Sequence, residues 1–356
     1  MIYEETKYIL KTKRRIGVLL IEITSNCNFK CKHCYNESRN ITSQISLDTL
    51  KKVKDDLKCI AGIELIEFSG GEFFLHKDWT QILELFKEFS VQITTNGSLL
   101  TEDILRILKH YRVKLAISLD GLSPEDNYLR EPKMYEKVMR GIENTIRHYE
   151  VSLVTLHCTI NNYNYDNLDT LAEYCHANDL KLNFGCLCKM GIGQLLGSSD
   201  IPDGNTIYHS YKNIIEISNK YNLNISLPPL GVSSKCTLLT YSKISPRISA
   251  DGEVYPCSSM TDYSFSIGNI YRESLSDMLL KNNIKLKNII ELLLSRSKYM
   301  SISVCKNCNY VNDCGGGCVA YALSENANDF LSIPKRFCTA AKLLKAREAV
   351  NTHLNL

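Results

Sequence analysis

The chain has a single tryptophan, no apolar run long enough to cross a bilayer and no strong excess of either charge. Each absence excludes something. The longest apolar runs, such as Val18 to Ile21, fall far short of the roughly 20 residues that a membrane helix needs. A net charge of +3 over 356 residues, with no dense basic stripe, gives nucleic acid no footing. The one basic cluster, Lys11, Lys13, Arg14 and Arg15, reads as a solvated arm. The first fifteen residues lack the apolar stretch of a secretory signal, so the expected location is cytoplasmic. Internal repeats and low-complexity tracts are missing as well.

Cysteine, by contrast, is abundant, with fifteen in the chain. In a reducing compartment these are metal ligands, reactive thiols or core residues before they are disulfides. Cys27, Cys31 and Cys34 form a C-x3-C-x2-C triplet directly after the apolar run Gly17–Ile23. A zinc site would want four protein ligands. Three thiolates on a short loop suit a cuboidal [4Fe-4S] cluster with one iron left open, although spacing alone does not name the cluster.

From residue 17 to about 188, short β-branched runs alternate with amphipathic stretches of helix length. The expected strands are Gly17–Ile23, Ile63–Phe68, Val91–Thr95, Val113–Leu119, Ser152–Ile160 and Leu180–Cys186. The expected helices are Leu47–Ile60, Trp79–Phe89, Glu102–Tyr111, Met134–Tyr149 and Tyr165–Ala177, with Ser46 and Thr101 as N-caps. Six such units argue for parallel βα repeats, as a partial barrel or an open doubly wound sheet. Either way ligands gather at the carboxyl ends of the strands.

The unusual residues fall there. Gly70-Gly71-Glu72 follows the second strand and Asn96 the third; Ser118 and Asp120 end the fourth, and Cys186 and Cys188 the sixth. The two glycines allow backbone to approach a ligand closely. Ser118 and Asp120 face one side by strand alternation. Arg130 is either an exposed loop cation or a partner for a carboxylate; Asn96 is either a turn residue or a ligand. Cys59 and Cys175, on expected helices, and Cys158 are taken as core. Cys186 and Cys188 are core residues, hydrogen-atom donors or ligands.

These motifs resemble the radical S-adenosylmethionine (SAM) family. The cysteine spacing, His33 before the last cysteine, the GGE element (without the proline that usually follows it, Phe73 standing there), the SxDG-like Ser118-Leu119-Asp120-Gly121 and the downstream Asp126-Asn127-Tyr128-Leu129-Arg130 carry the likeness. It implies that Cys27, Cys31 and Cys34 hold a [4Fe-4S] cluster whose open iron chelates SAM. It also implies that Gly70, Gly71, Glu72, Asn96, Ser118, Asp120 and Arg130 surround the SAM, and that cleavage releases a 5′-deoxyadenosyl radical. Farther on, Cys236-x15-Gly252-x4-Cys257 and Cys305-x2-Cys308-x5-Cys314-x3-Cys318-x19-Cys338 resemble the seven-cysteine SPASM signature. The likeness implies two auxiliary [4Fe-4S] clusters, one on Cys236, Cys257 and Cys318 and one on Cys305, Cys308, Cys314 and Cys338. A further family cysteine is replaced here by Ser242, so the fourth iron of the first cluster is open, held by another residue such as Cys186 or Cys188, or available to substrate. The competing reading of Cys305, Cys308, Cys314 and Cys318 is a zinc ribbon, which leaves three cysteines without a purpose.

The expected fold is therefore α/β, a partial (β/α)6 TIM-like barrel with a C-terminal cysteine-rich iron–sulfur domain. The expected layout is an arm (1–16), barrel (17–189), bridge (190–235), SPASM region (236–340) and terminal helix (341–356). The family likeness implies a maturase that oxidatively crosslinks a ribosomally made peptide, with three [4Fe-4S] clusters and SAM as cofactors. The expected partners are the precursor peptide, a flavodoxin or ferredoxin as electron donor and a separate leader-binding protein, since only 26 residues precede Cys27. No nucleic acid or membrane partner is expected. Epimerisation with a cysteine donor is one alternative. A maturase of the anaerobic sulfatase type is another, weakened because Ser258 stands where those relatives place an aspartate. An iron–sulfur electron carrier or redox sensor is the non-enzymatic alternative.

Overall fold

Six parallel strands carry the fold: β1 Val18–Thr24, β2 Leu65–Gly70, β3 Val91–Thr95, β4 Lys114–Ser118, β5 Val154–Ile160 and β6 Lys181–Cys186. The computed structural model describes residues 15–36, 43–60, 62–223, 225, 236, 238–239, 243–280, 283–314, 316–326 and 329–354. Lys11, Lys13, Arg14, Ser242 and the end of the expected bridge (224 and 226–235) lie outside the described residues. Each of the six strands matches an expected one to within three residues at either end. The intervening helices are α1 Leu47–Leu57, α2 Trp79–Leu85, α3 Glu102–His110, α4 Tyr135–His148 and α5 Leu168–Ala177. Both expected caps form: Ser46 Oγ accepts from Thr49 N at 3.2 Å and Thr101 Oγ1 from Ile104 N at 3.4 Å.

Strand alternation divides the sheet into two faces. Leu19, Ile21, Ile23, Ile66, Phe68, Ile93, Leu115, Ile117, Leu156 and Ile160 are buried in one apolar core. The alternate positions hold Glu22, Glu67, Ser69, Thr94, Ser118, His157 and Asn183. A parallel sheet covered by helices on both faces would be apolar throughout. Here the second face is polar because the sheet curves into an open partial barrel, and this face lines its interior.

The sheet does not end at β1. Residues of the cysteine-rich region extend it by β7 Arg247–Ile248, β8 Glu253–Tyr255 and β9 Gly268–Asn269. The strand order is β9-β8-β7-β1-β2-β3-β4-β5-β6. Strand β7 runs parallel to β1, with Leu20 opposite Arg247 and Ile21 opposite Ile248. A buried ion pair marks the seam. Arg247 Nη1 donates to Glu22 Oε1 at 3.2 Å, and the guanidinium lies 4.3 Å over the Tyr255 ring. Burial holds the Glu22 carboxyl above its usual range even beside Arg247.

The helix α6, Gly204–Tyr221, follows the barrel, capped by Asp203 Oδ1 accepting from Thr206 N at 2.8 Å. It packs against α5 and against the terminal helix. In the cysteine-rich region α7 is Leu275–Leu280, α8 is Ile284–Ile302, α9 is Val319–Glu325 and α10, the terminal helix, is Lys335–Leu354. The sequence reading assigned nothing to α8, and α10 starts at Lys335 rather than near 341. Cys59 corrects another expectation. It is exposed because α1 stops at Leu57, leaving Cys59 beyond the last turn rather than on the buried face. Cys158 and Cys175 are buried, as expected. Among the described residues no helix is long and apolar enough to cross a membrane.

Removing one member of a buried pair strands the other, at a cost of about 3–5 kcal/mol, whereas replacing both with apolar groups is near neutral. Arg247→Met is therefore expected to lower the thermal midpoint sharply, and Glu22→Leu/Arg247→Met to recover most of the loss. Melting curves of the two variants and the wild type check this.

Candidate active site

The cysteine loop leaves β1 and is tied to its neighbours on all sides. Gly71 N donates to Thr24 O at 2.7 Å and Glu72 N to Asn26 O at 2.8 Å. On the other flank Lys32 N donates to Leu129 O at 2.6 Å, and His33 Nδ1 lies 3.1 Å from the same carbonyl. The Gly70-Gly71 step works differently from the expectation. A Cβ on Gly71 would lie 2.0 Å from Asn26 O, and one on Gly70, whose φ is +116°, 2.4 Å from Thr24 O. The backbone that these glycines admit is that of the cysteine loop itself.

Glu72 is fully buried beneath this rim. Its Oε1 accepts from Thr95 Oγ1 at 2.7 Å and its Oε2 from Asn96 N at 2.9 Å. Burial outweighs these bonds and lifts its pKa to about 7. The side chain joins the ends of β2 and β3 rather than opening to a ligand. Asn96 acts as a clasp as well as a turn: its Oδ1 accepts from Ser98 N at 2.9 Å and its Nδ2 donates to Asn28 Oδ1 at 2.8 Å, in the cysteine loop.

Arg130 is not an exposed cation. Its side chain is 13% exposed and Nη2 donates to Asp120 Oδ1 at 2.7 Å. Asp120 Oδ1 also accepts from Thr159 N at 2.8 Å. Asp120 Oδ2 and Arg130 Nε are left buried without hydrogen-bond partners, so one acceptor and one donor remain for a polar ligand. Arg130 also feels the charge of Cys31, which places it between the cysteine loop and β4. Ser118 sits half-buried at the end of β4, paired in register with His157. Burial and the nearby Arg130 push His157 down to about 4, so it is a neutral imidazole.

Beside this rim a cavity of about 470 Å³ opens into the barrel. Tyr35, Glu67, Ser69 and Thr94 line one wall. Cys186, Cys188, Ser258 and Tyr321 line the other. Glu67 Oε1 accepts from Thr94 Oγ1 at 2.6 Å, and burial raises the acid above its usual range. The Cys186 thiol is likewise pushed up by burial, to about 12. The sequence reading missed Glu67 and Thr94. The signal was there: each stands two residues before a rim position, Ser69 and Asn96, and so shares its face. A second cavity of about 450 Å³ shares Met190, Ser259 and Thr261 with the first and runs on past Phe265, Leu292 and Phe330.

The C-terminal thiols fall into two sets. Cys236 is coupled electrostatically to Cys257 and Cys318, and burial lifts its thiol to about 12. Cys314 is coupled to Cys338 and Cys305, and Cys338 to Cys305 and Cys308. These last four line one pocket. Cys188 feels the charge of Cys186 and of Cys318. Among the described residues no three His, Cys, Asp or Glu side chains converge as they would around one ion.

A curved parallel sheet with a thiol loop and unpaired polar atoms at its carboxyl rim, continuous with a second thiol-rich unit, has the layout of a site for a thiolate-held cofactor. Residues 21–175 match the Radical SAM superfamily and residues 240–309 match the SPASM iron–sulfur cluster-binding domain. The chain belongs to the radical SAM/SPASM family and is a SAM-binding iron–sulfur enzyme. It is similar to a probable GTP 3′,8-cyclase of Methanococcus maripaludis strain C7, 32% identical over 46% of this chain and 56% of that protein. It is similar also to the antilisterial bacteriocin subtilosin biosynthesis protein AlbA of Bacillus subtilis, 38% identical over 29% of this chain and 24% of AlbA. The matched stretches thus span about half or less of these relatives' lengths. Among solved structures, native anSMEcpe with bound AdoMet and Cp18Cys peptide aligns over 95% of this chain and 99% of its own, with a TM-score of 0.73 and 19% identity. Streptococcus suis SuiB bound to precursor peptide SuiA aligns over 95% of this chain and 79% of its own, with a TM-score of 0.72 and 16% identity. At these identities the likeness shows the fold.

The raised Glu72 acid gives a pH test. Its contribution to stability is complete below the ordinary value of 4.5 and is lost as pH rises through about 7. Between about pH 5 and about pH 8 the wild type should lose on the order of 3 kcal/mol relative to Glu72→Gln. Thermal melts of both proteins across that range read the difference.

Proposed function

We propose that this enzyme oxidatively crosslinks a ribosomally made peptide, using SAM and three [4Fe-4S] clusters. In this reading Cys27, Cys31 and Cys34 hold the cluster that cleaves SAM. Cys236, Cys257 and Cys318 hold the first auxiliary cluster, and Cys305, Cys308, Cys314 and Cys338 the second. The barrel (17–189) and the auxiliary-cluster region (236–340) are its two working parts. When bound, cluster and SAM supply a 5′-deoxyadenosyl radical that abstracts hydrogen, while the protein positions the target bond and excludes water. Gly70, Gly71 and Asn96 shape the rim, with Glu72 fixing it from beneath. Ser118, Asp120 and Arg130 offer SAM a hydroxyl, a free carboxylate oxygen and a free guanidinium N–H.

One observation carries the peptide reading: the cavity beside the rim is walled jointly by the barrel and the cysteine-rich region, and a groove leads out of it. An extended chain fits along such a path with one residue in the barrel. There the Glu67 carboxyl and the Thr94 hydroxyl are within reach of its polar groups. The peptide-bound SuiB and anSMEcpe structures and the bacteriocin role of AlbA support it. The GTP cyclase relative matches 46% of this chain and AlbA 29%, so coverage does not choose between them. Two electrons must leave the substrate, and cysteine sets adjoining the cavity give an auxiliary cluster a place to receive one. The partners are then the precursor peptide and a flavodoxin or ferredoxin donor.

Epimerisation is the second reading, favoured by Cys186 and Cys188. Both line the cavity, and burial keeps both thiols protonated, as a hydrogen-atom donor must be. Formylglycine-type oxidation is less well served, because Ser258 brings no carboxylate to the wall that it lines.

The test is mass spectrometry of the peptide encoded beside the enzyme, after anaerobic turnover in deuterated water. Crosslinking predicts loss of two hydrogens, undiminished in Cys186→Ala. Gain of one deuterium without other change, abolished by Cys186→Ala or Cys188→Ala, would mean epimerisation. An unmodified peptide, with 5′-deoxyadenosine still formed, would sink the peptide reading.

A further inference from the structure

Arg296 lies on α8 in the middle of the cysteine-rich region and is 3% exposed. Its guanidinium makes four hydrogen bonds, all to backbone carbonyls. Nε donates to Phe330 O at 2.9 Å, Nη1 to Gly317 O at 3.0 Å, and Nη2 to Gly316 O at 3.0 Å and to Ser332 O at 2.8 Å. Gly316 and Gly317 belong to the loop between Cys314 and Cys318, and Phe330 and Ser332 to the stretch that leads to Cys338. One side chain therefore ties together the two segments that carry three of the seven thiols.

Carbonyls satisfy the N–H groups but bring no negative charge, and a buried cation is costly unless an anion accompanies it. Among the described residues no Asp or Glu forms an ion pair with Arg296. Burial disfavours its charge, and the titratable groups near enough to offset that are cysteines: Cys318, Cys314, Cys305 and Cys236. They come from both cysteine sets, so Arg296 stands between the two proposed auxiliary sites. A planar guanidinium, always charged and held in a rigid fork, suits a fixed counter-charge better than a mobile ammonium.

We propose that Arg296 is a shared counter-charge for both auxiliary iron–sulfur sites, a positioning residue that sets their reduction potentials together. The proposal rests on the assignment of two auxiliary clusters. A thiolate-ligated [4Fe-4S] cluster is an anion, and its potential depends on nearby charge, hydrogen bonds and exposure. A fixed cation favours the reduced, more negative state. By raising both potentials, Arg296 makes each site a better acceptor of electrons.

The experiment needs neither peptide nor SAM. Wild type, Arg296→Lys and Arg296→Gln are reconstituted as full chains, their iron counted, and each is titrated reductively with detection by electron paramagnetic resonance. In Arg296→Gln both auxiliary signals should shift to more negative potential, by at least tenfold in the oxidised-to-reduced ratio, or ~59 mV for a one-electron couple. Arg296→Lys should stay within a few-fold of wild type, and the Cys27–Cys34 cluster should be unmoved in both. Unchanged auxiliary potentials in fully loaded Arg296→Gln would overturn the proposal. If Arg296→Gln fails to retain auxiliary iron, retention by Arg296→Lys supports a charge role, and equal loss by both overturns it. Wild type carrying iron for one cluster alone would overturn the auxiliary-site reading and the proposal with it.

Discussion

The buried pair of Glu22 and Arg247 holds the two parts of this molecule in one register. Glu22 is on the first barrel strand, five residues before Cys27. Arg247 is on a strand of only two residues, ten before Cys257. A two-residue strand has little pairing energy of its own. An ion pair inside the sheet is sensitive to register, because a slip of one residue turns each side chain to the opposite face. The pair sits in a polar patch with Tyr35, whose hydroxyl lies 3.3 Å from Ser69 Oγ. The cysteine loop, the second strand and the cysteine-rich region therefore meet at one point.

Everything functional follows from that junction. Because β7 extends the barrel sheet, the loop after β8 brings Ser258 and Ser259 over the mouth of the barrel. Helix α9 brings Tyr321 to the same wall, and the cavity acquires a roof that the barrel alone lacks. The barrel contributes a carboxylic acid and hydroxyls, and the roof brings thiols close behind. Arg336 ties the terminal helix to the barrel's end: its guanidinium donates to Pro202 O at 3.0 Å and pairs with Glu325 at 3.1 Å. On the proposed reading, a target residue held in the cavity would have the SAM-binding rim on one side and the first auxiliary cysteine set on the other.

Much of this was legible in the sequence. Six strands and five helices follow from periodicity, and the rim from the coincidence of unusual residues at strand ends. The division of the seven C-terminal cysteines came from likeness of spacing to a family signature. The illegible features depend on distant partners. Arg130 gave no local sign of being buried, since its charge is matched by Asp120, ten residues earlier at the start of the same connection. Glu72 looked available because a glycine pair precedes it, yet those glycines turn the chain inward against Asn26. Strand β7 is too short to show a period, and α8 lies in a stretch where cysteine spacing was the only pattern followed. Glu67 needed only the alternation rule applied once more along β2.

The central claim is that one rim begins radical chemistry and the adjoining thiol sets complete it. The direct measurement is 5′-deoxyadenosine formed from SAM and dithionite under anaerobic conditions by three reconstituted proteins. These are the wild type, Cys27→Ala/Cys31→Ala/Cys34→Ala and Cys236→Ala/Cys257→Ala/Cys318→Ala. The account predicts cleavage by the wild type, none by the rim variant, and retained cleavage by the third protein without modification of the peptide. Cleavage by the rim variant, or none by fully loaded wild type, would contradict it.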